Sequence, residues 1–410
     1  TTLTSANSSI NSNTLYSSVS SALNDTRSEG TATLLDDVAE DVVVPQDANV
    51  KIDLGGHTLN GTVTNNGTLQ ITGDGTFEGQ VTGNDATVDE SVTEAVAKIG
   101  DTPYESVQEA INAATEGQTV QLVANVTESI TVDKNDSITL DLNGNTLTNE
   151  NNKHTITNNG ALTVIDSVGG GVVDNVSHGK AALATSEGST TTLNGGIFKR
   201  SQEAGTLDYA TGSSNANGNS YYTILNQGEL TINDGTTVEL LLADGTPAGH
   251  SSIIDNGWFS GRPNEEGYNA KLTINGGTIN GGKYVKNDSY GVLEVNGGKL
   301  INGANTSILN WNEATINGGT FDPCDQASGI IYNLKDRGGI ESGTIDIKGG
   351  TFITTGSQAP FFTDNSGNSS DDIEVSGGTY QGNAPDESYI VSGSGLNQNQ
   401  DGSFGVHAHS

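Results

Sequence analysis

Short segments of alternating apolar and polar residues recur along the second half of the chain. Each ends in Asn-Gly-Gly or a related triplet, as in LTINGGTI from Leu272 and LEVNGGKL from Leu293. Alternation with a period of two is typical of β-strands that bury one face. We therefore expect one buried ladder, formed by the second apolar residue of each segment: Ile274, Val295, Ile316, Ile347 and Val375.

The glycine pairs recur at intervals typical of a solenoid. Their second glycines are Gly277, Gly298, Gly319, Gly350 and Gly378, so successive steps are 21, 21, 31 and 28 residues. A glycine pair permits a tight corner, after which a threonine and an apolar residue begin the next strand. The helix of a leucine-rich repeat would not fit into a 21-residue step. The pattern predicts an all-β, right-handed parallel β-helix with three faces per coil.

A second repeated text precedes each glycine pair, an apolar strand that ends near an asparagine. Examples are TILNQGE from Thr223 and SILNWNE from Ser307. Stacked asparagines satisfy one another and the backbone groups of a corner. We expect such a ladder from Asn226, Asn256, Asn310, Asn333 and Asn365.

An amphipathic segment occurs twice near the N-terminus. LYSSVSSALND begins at Leu15 and PYESVQEAIN at Pro103, and DLGGHTLNG from Asp53 matches DLNGNTLTN from Asp141 at the same offset of 88 residues. Apolar residues at helical spacing predict short N-terminal helices that cap the solenoid. The predicted domains are a Ser/Thr-rich leader with the first duplicated unit (1–97), a parallel β-helix binding domain (98–385) and a C-terminal tail (386–410).

Charge restricts the partners of this chain. Its 410 residues include 50 acidic and 16 basic side chains, for a formal net charge of -34 at pH 7. Such a charge repels nucleic acid phosphates and anionic lipids, and no segment reaches the roughly 18 apolar residues of a transmembrane helix. We predict no nucleic-acid partner and no direct membrane insertion.

Cysteine and methionine usage points to an exported fragment. Cys324 is the only cysteine, which excludes an internal disulfide and makes a cysteine-based zinc site implausible. Methionine is absent altogether. We interpret the chain as part of a longer protein whose signal and anchor lie outside it, and we predict an extracellular, cell-surface location.

Long insertions follow the asparagine corner in several coils. They run from Trp258 to Ala270 and from Leu334 to Gly343, and another excursion runs from Lys199 to Ser220. Insertions on a solenoid collect on one side and form its binding face. Three of the four arginines, Arg200, Arg262 and Arg337, fall in these segments. The predicted ligand-binding residues are Trp258, Arg262, Tyr268, Tyr290, Trp311, Lys335 and Arg337.

Aromatic rings stack on sugars and basic groups pair with carboxylates, so this mixture favours an acidic glycan. The alternative is that the basic groups neutralise neighbouring acids, as in GRPNEEGY from Gly261, and that the aromatic residues pack under loops. The sequence leaves both interpretations open.

Catalysis is the alternative to binding, because many parallel β-helix proteins cleave polysaccharides. A hydrolase needs two carboxylates on opposite sides of the scissile bond. Candidate acids such as Asp255, Asp288 and Asp364 lie in different coils without a catalytic motif, and the histidines have no motif partner. We predict no catalytic residues, no metal and no cofactor. A polysaccharide lyase or hydrolase remains the alternative.

The segment from Ala97 to Val132, the DLNGNTL that follows and the NGGTF or NGGTI repeats resemble surface proteins of Gram-positive gut bacteria. With the Ser/Thr-rich start, the chain is similar to the binding region of the serine-rich-repeat adhesins of lactobacilli. The resemblance covers most of residues 15–385 and implies a β-solenoid adhesin that binds a polysaccharide or glycoprotein glycan, pectin-like or mucin-type, without cleaving it. A structural spacer or biofilm scaffold is a further alternative.

Overall fold

Parallel strands stacked in long sheets make up most of the chain. The structure, a computed structural model, describes residues 4–8, 13–26, 29–177, 179–201, 221–258, 269–334, 343–364 and 372–409. The chain divides into unit 1, Thr1–Ala114 with Gln118–Val126, and unit 2, Thr115–Gly117 with Thr127–Ser410. No helix among the described residues is long and apolar enough to cross a membrane.

Unit 1 contains three parallel sheets of its own. Their strands are Gly30–Leu34, Asn49–Asp53, Thr68–Thr72 and Ala86–Val88; Val38–Ala39, Thr58–Asn60, Gly75–Glu78 and Val92–Ala95; and Val42–Val44, Val63–Asn65 and Val81–Gly83. Antiparallel strands add to this unit: Thr4–Ser8, Asn13–Tyr16, Ala97–Ile99, Thr102–Tyr104 and Gln118–Leu122. The remaining short strand is Val126–Thr127.

Two short helices occur where the duplicated segments predicted them. They are Val19–Thr26 and Val107–Ala113. The first packs Val19 and Leu23 into the core of unit 1, and the carboxylate of Glu40 accepts hydrogen bonds from the backbone N–H groups of Val19 and Ser20. The second begins at Ser106, whose side chain accepts from the N–H of Glu109. Each helix therefore has its first N–H groups satisfied by a side chain.

Unit 2 contains three parallel sheets, which we name sheets I, II and III. Sheet I contains Ser137–Asp141, Ala161–Ile165, Thr190–Leu193, Glu229–Ile232, Ala270–Ile274, Gly291–Val295, Glu313–Ile316, Thr344–Ile347 and Ile373–Val375. Sheet II contains Thr146–Thr148, Val172–Asn175, Gly196–Arg200, Thr236–Leu240, Thr278–Gly281, Lys299–Ile301, Thr320–Asp322, Thr351–Ile353 and Thr379–Gln381. Sheet III contains Ile130–Val132, Ile156–Asn158, Leu183–Thr185, Ile224–Asn226, Ile254–Asn256, Val285–Asn287, Ile308–Asn310, Gly329–Asn333 and Ala359–Thr363.

Each coil contributes one strand to each sheet, so the predicted all-β parallel β-helix with three faces per coil is confirmed. The expected sheet I ladder is in register through all five members, Ile274, Val295, Ile316, Ile347 and Val375, and each is fully buried. In sheet II the residues after the glycine pairs form a second buried ladder: Ile279, Leu300, Phe321, Phe352 and Tyr380.

The C-terminal residues close sheet II with an antiparallel hairpin. Phe404–Ala408 pairs with Thr379–Gln381 and with Ser394–Gln398, and the 3-10 turn Glu387–Tyr389 precedes the hairpin. The isolated bridge between Val375 and Ile390 adds a contact at the last strand of sheet I. Pairing of this kind protects strand edges that would otherwise be open.

The two glycines of a corner have different tasks. Gly319 has a φ of 96°, a conformation that favours glycine, whereas Gly318 has ordinary φ but lies so close to the previous coil that a Cβ atom would sit 2.4 Å from the Asn296 carbonyl oxygen. We expect Gly318→Ala to destabilise unit 2 by more than about 1 kcal/mol, because backbone must shift to accept the methyl group.

Guanidinium titration followed by tryptophan fluorescence tests this prediction, since both tryptophans of the chain lie in unit 2. Gly249→Ala is the matched control. At Gly249 a Cβ would meet only the Ala304 side chain, at 3.4 Å. Equal midpoints for the two variants would contradict the steric explanation.

A ladder of buried asparagines follows the inner row of sheet III. Asn226, Asn256, Asn287, Asn310 and Asn333 are each fully buried, and successive side chains are joined by Nδ2 to Oδ1 hydrogen bonds of 2.8–3.0 Å. The ladder predicted from the sequence is thus present, with Asn287 as an added member. The register places Thr363 next to Asn333, while Asn365 lies outside the described residues.

Candidate functional site

The outward-facing row of sheet III differs in chemistry from those of the other two sheets. On sheet I the row contains Thr139, Thr163, Thr192, Thr231, Thr273, Glu294, Thr315, Asp346 and Glu374. On sheet II it contains Thr146, Val172, Ile197, Thr237, Thr278, Lys299, Thr320, Thr351 and Thr379. On sheet III it contains Thr131, Thr157, Ala184, Leu225, Asp255, Lys286, Leu309, Tyr332 and Phe362. The row of sheet I is polar and that of sheet II mainly polar, whereas from Ala184 onward the row of sheet III is apolar and aromatic, with a buried charged pair, Asp255 and Lys286.

The middle of this row is a buried charge cluster. Asp255 and Asp288 have no exposed surface and Lys286 is 7% exposed. The Lys286 ammonium lies 3.3 Å from an oxygen of Asp288, and Asp255 is the strand partner of Lys286. Charges are buried in this way only when neighbouring groups compensate them. Neither carboxylate contacts solvent.

Stacked aromatic rings occupy the C-terminal part of the row. The rings of Tyr332 and Phe362 lie 4.6 Å apart with an interplanar angle of 11°. Burial and the nearby charge of Asp364 raise the pKa of Tyr332. Because the two rings cover each other's faces, the surface that they offer consists mainly of ring edges.

The corner between sheets III and I carries insertions of different length. In each coil the ladder asparagine donates a hydrogen bond to a backbone carbonyl at the start of the next strand. That carbonyl belongs to the second residue after Asn226 and after Asn310, and to the fourth residue after Asn287. At Asn256 the distance is 14 residues, and at Asn333 it is 10. This corner therefore carries the insertions after Trp258 and after Leu334 that the sequence predicted.

One predicted insertion leaves from the other corner. Residues Lys199 to Ser220 follow the sheet II strand Gly196–Arg200 and precede the sheet III strand Ile224–Asn226. The segment between Leu240 and Ile254 lies at the same corner. Insertions thus flank sheet III on both sides, whereas the sequence placed all of them after the asparagine.

Arg200, which the sequence placed in an excursion, is part of a strand and is 2% exposed. Its Nε donates to the Lys180 carbonyl at 2.7 Å, and its Nη2 donates to the Ser177 carbonyl at 2.5 Å. The interpretation of Arg200 as a surface group was therefore wrong, because an arginine that binds carbonyls can end a buried strand.

Three of the predicted binding residues lie at the corner between sheets III and I. The rings of Trp258 and Tyr290 are 6.2 Å apart in an edge-to-face arrangement, and the Trp258 backbone N–H donates to the Ser289 carbonyl at 3.2 Å. Trp258 is 9% exposed, so little of its ring is open to a ligand, while Tyr290 and Trp311 are half-buried. Arg262, Tyr268, Lys335 and Arg337 lie outside the described residues.

Tyr290 has an unusual backbone conformation. Its φ of 61° lies in the left-handed region, which is costly for a tyrosine. It belongs to the short insertion between Asn287 and Gly291, where the shortest corners, after Asn226 and Asn310, have a single residue. Strained residues of this kind cluster at binding and active sites, so the conformation of Tyr290 makes it a candidate for ligand contact.

The structure brings together, at the corner between sheets II and III, a group of residues that the sequence did not assign to a site. His154, Tyr221, Tyr222 and Tyr284 are all half-buried there. Burial lowers the pKa of His154, with the charge of Lys180 adding to the effect. Burial raises the pKa of Tyr222, and the charges of Asp255 and Asp288 add to it. In the sequence, the pair Tyr221 and Tyr222 next to a long insertion indicates such a group. The register between coils is needed to show that His154 and Tyr284 lie at the same corner.

A groove on the outer face of sheet I is lined by carboxylates, among them Glu313, Asp346, Asp372 and Glu374. Across the described part of the chain, no group of three or more His, Cys, Asp or Glu side chains is placed to hold a metal ion. The groove therefore adds an acidic patch to this face.

Comparison of the chain with protein-family models, with curated proteins and with solved structures gives no match.

Proposed function

We propose that this chain is the glycan-binding region of a bacterial cell-surface adhesin, and that it holds an extended glycan along the corner between sheets III and I without cleaving it. The observation that carries the proposal is the contrast between the faces. Among the outward rows named above, that of sheet III combines aromatic rings with a buried Asp–Lys pair, and insertions flank the sheet at both corners. Binding residues of solenoids collect on such a face.

Tyr290 and Trp311 supply the sugar contacts in this proposal. Both are half-buried and lie at the corner where the chain enters its insertions. An aromatic ring with one open face stacks on the apolar face of a sugar and contributes about 1 kcal/mol per contact. The partner is a polysaccharide or glycoprotein glycan, pectin-like or mucin-type, encountered outside the cell.

On sheet III, binding is favoured over cleavage by the burial of Asp255 and Asp288. A glycosidase must bring an acid within hydrogen-bond reach of the glycosidic oxygen. Asp255 and Asp288 have no exposed surface. They support the aromatic surface as part of the packed face, and the proposal assigns them no catalytic role.

A Tyr290→Ala/Trp311→Ala double variant tests the site. We expect about a thirtyfold loss of affinity for mucin glycans or polygalacturonate, equivalent to two aromatic contacts of about 1 kcal/mol each. The control is Tyr104→Ala, a half-buried aromatic residue of unit 1. Binding is measured by isothermal titration calorimetry on the full chain.

Three results would overturn the proposal. Unchanged affinity in the double variant, with its circular dichroism intact, would remove this surface as the binding site. Release of unsaturated products or reducing ends from polygalacturonate would assign a lyase or a hydrolase instead. If the chain neither bound nor cleaved the glycans, a spacer or biofilm scaffold would be favoured.

A further inference from the structure

A second group of side chains with ligand-binding chemistry lies at the corner between sheets II and III, away from Tyr290 and Trp311. We call it the corner strip. It consists of His154, Lys180, Tyr221, Tyr222, Lys283 and Tyr284, all half-buried.

Backbone hydrogen bonds stack the coils that carry the strip. The Thr155 N–H donates to the Ala181 carbonyl, the Ala182 N–H to the Thr223 carbonyl, the Thr223 N–H to the Ile253 carbonyl and the Ile253 N–H to the Tyr284 carbonyl. Four steps of about 4.8 Å place the two ends of the strip roughly 19 Å apart. The strip is therefore long enough for several sugar units in a row.

Ring contacts hold the tyrosines in place. The Tyr221 ring lies 6.2 Å from the His154 ring and 4.7 Å from the Tyr222 ring, with a tilt of 44° between the two tyrosines. The Lys283 ammonium lies 5.4 Å from the centre of the Tyr284 ring. Tilted rings leave part of each face open, which is the surface that a sugar needs.

The imidazole and the two ammonium groups of the strip present hydrogen-bond donors, whereas tyrosine hydroxyls can both donate and accept. His154 Nδ1 accepts from the Ala181 N–H at 2.9 Å, so the proton of the neutral ring is on Nε2, which has no partner among the described residues. Neither Lys180 nor Lys283 forms a salt bridge within the described part of the chain. An ammonium group can only donate.

The neighbouring charges are already engaged. Arg200 donates to carbonyls of Ser177 and Lys180, and Lys286 pairs with Asp288. Asp255 and Asp288 are fully buried and offer no exposed acceptor. The strip thus offers a ligand two ammonium groups and one ring N–H, all of which donate hydrogen bonds. Their natural complement is a group that accepts hydrogen bonds and carries negative charge.

We infer that the corner strip is a second binding site, and that it takes an oligosaccharide bearing carboxylate groups. Lys180 and Lys283 pair with the carboxylates, His154 Nε2 donates to a sugar oxygen, and the tyrosines stack on the sugar rings. This site goes beyond the proposed function at Tyr290 and Trp311, and either site can fail without the other.

The test compares charged and uncharged probes on the full chain. The probes are trigalacturonate and its methyl ester, in which each carboxylate charge is replaced by a neutral ester. Sialyllactose and lactose provide a second source of the same chemistry. For Lys180→Gln/Lys283→Gln we expect about a tenfold loss of affinity for at least one carboxylated probe, the range of charge-assisted hydrogen bonds, and no change for its neutral counterpart.

Lys271→Gln/Lys299→Gln is the matched control. Both lysines are exposed, on sheets I and II, and their removal changes the net charge by the same amount. A separate site is supported if this control keeps full affinity for the carboxylated probe and if the Tyr290→Ala/Trp311→Ala variant still binds the carboxylated probe more tightly than the neutral one. Equal losses in the two lysine double variants would reduce the effect to net charge, and equal affinity of the wild-type chain for charged and neutral probes would remove the site.

Discussion

Replacing Phe352 with alanine is expected to lower the free energy of unfolding of unit 2 by about 4 kcal/mol, in the range measured for buried Phe to Ala substitutions. Phe352 is fully buried between the parallel rings of Phe321 and Tyr380, at 5.0 and 5.1 Å, and Phe361 meets it edge-on at 5.0 Å. Removing the ring leaves a cavity and deprives both neighbours of a stacking partner.

The matched control is Phe362→Ala. Phe362 also stacks on one aromatic ring, that of Tyr332, but it is half-buried on the outer face of sheet III. Its loss should cost about 1 kcal/mol, because much less surface is buried. Guanidinium unfolding followed by tryptophan fluorescence measures both variants. Similar losses in the two would show that the aromatic ladder of sheet II is not a major part of the core.

Replacing Asn287 with alanine is expected to destabilise unit 2 by about 3 kcal/mol, since several buried polar groups lose their partner. Asn287 Nδ2 donates to the Asn310 side chain at 2.9 Å and to the carbonyls of Gly291 and Glu313 at 3.0 and 2.8 Å. Its Oδ1 accepts from Asn256 at 3.0 Å. The surrounding carbonyls are too buried for water to replace it readily.

Asn296→Ala is the control, because it removes the same kind of side-chain hydrogen bonds at a solvent-exposed position. Asn296 belongs to an exposed asparagine ladder at the corner between sheets I and II, where it donates to Asn275 at 2.9 Å and accepts from Asn317 at 2.8 Å. Water replaces those bonds, so we expect a loss below about 0.5 kcal/mol. If both variants unfolded at the same guanidinium concentration, burial would not explain the strength of the inner ladder.

Much of the fold could be predicted from alternation alone. Ile274 and Val295 are 21 residues apart, which is the length of one coil. Because side chains alternate between the two faces of a strand, both must point to the buried face when their apolar neighbours do. The glycine pairs mark the corners, because few other residues tolerate both positive φ and close backbone approach. Asn287, which the register pairs with Asn256, was not assigned to the ladder from the sequence.

The site was less predictable, because burial depends on neighbours from other coils. The sequence by itself determined the periodicity, the corners, the acidic charge and the positions at which insertions interrupt the repeat. Only the tertiary structure decided that Arg200 and Trp258 are buried, that the insertions flank sheet III from two corners, and that His154 shares a corner with Tyr284. The alternation of residues along a strand determines which side chains point inward. The register between stacked coils determines which side chains lie near one another, and it can bring residues more than a hundred positions apart to the same corner.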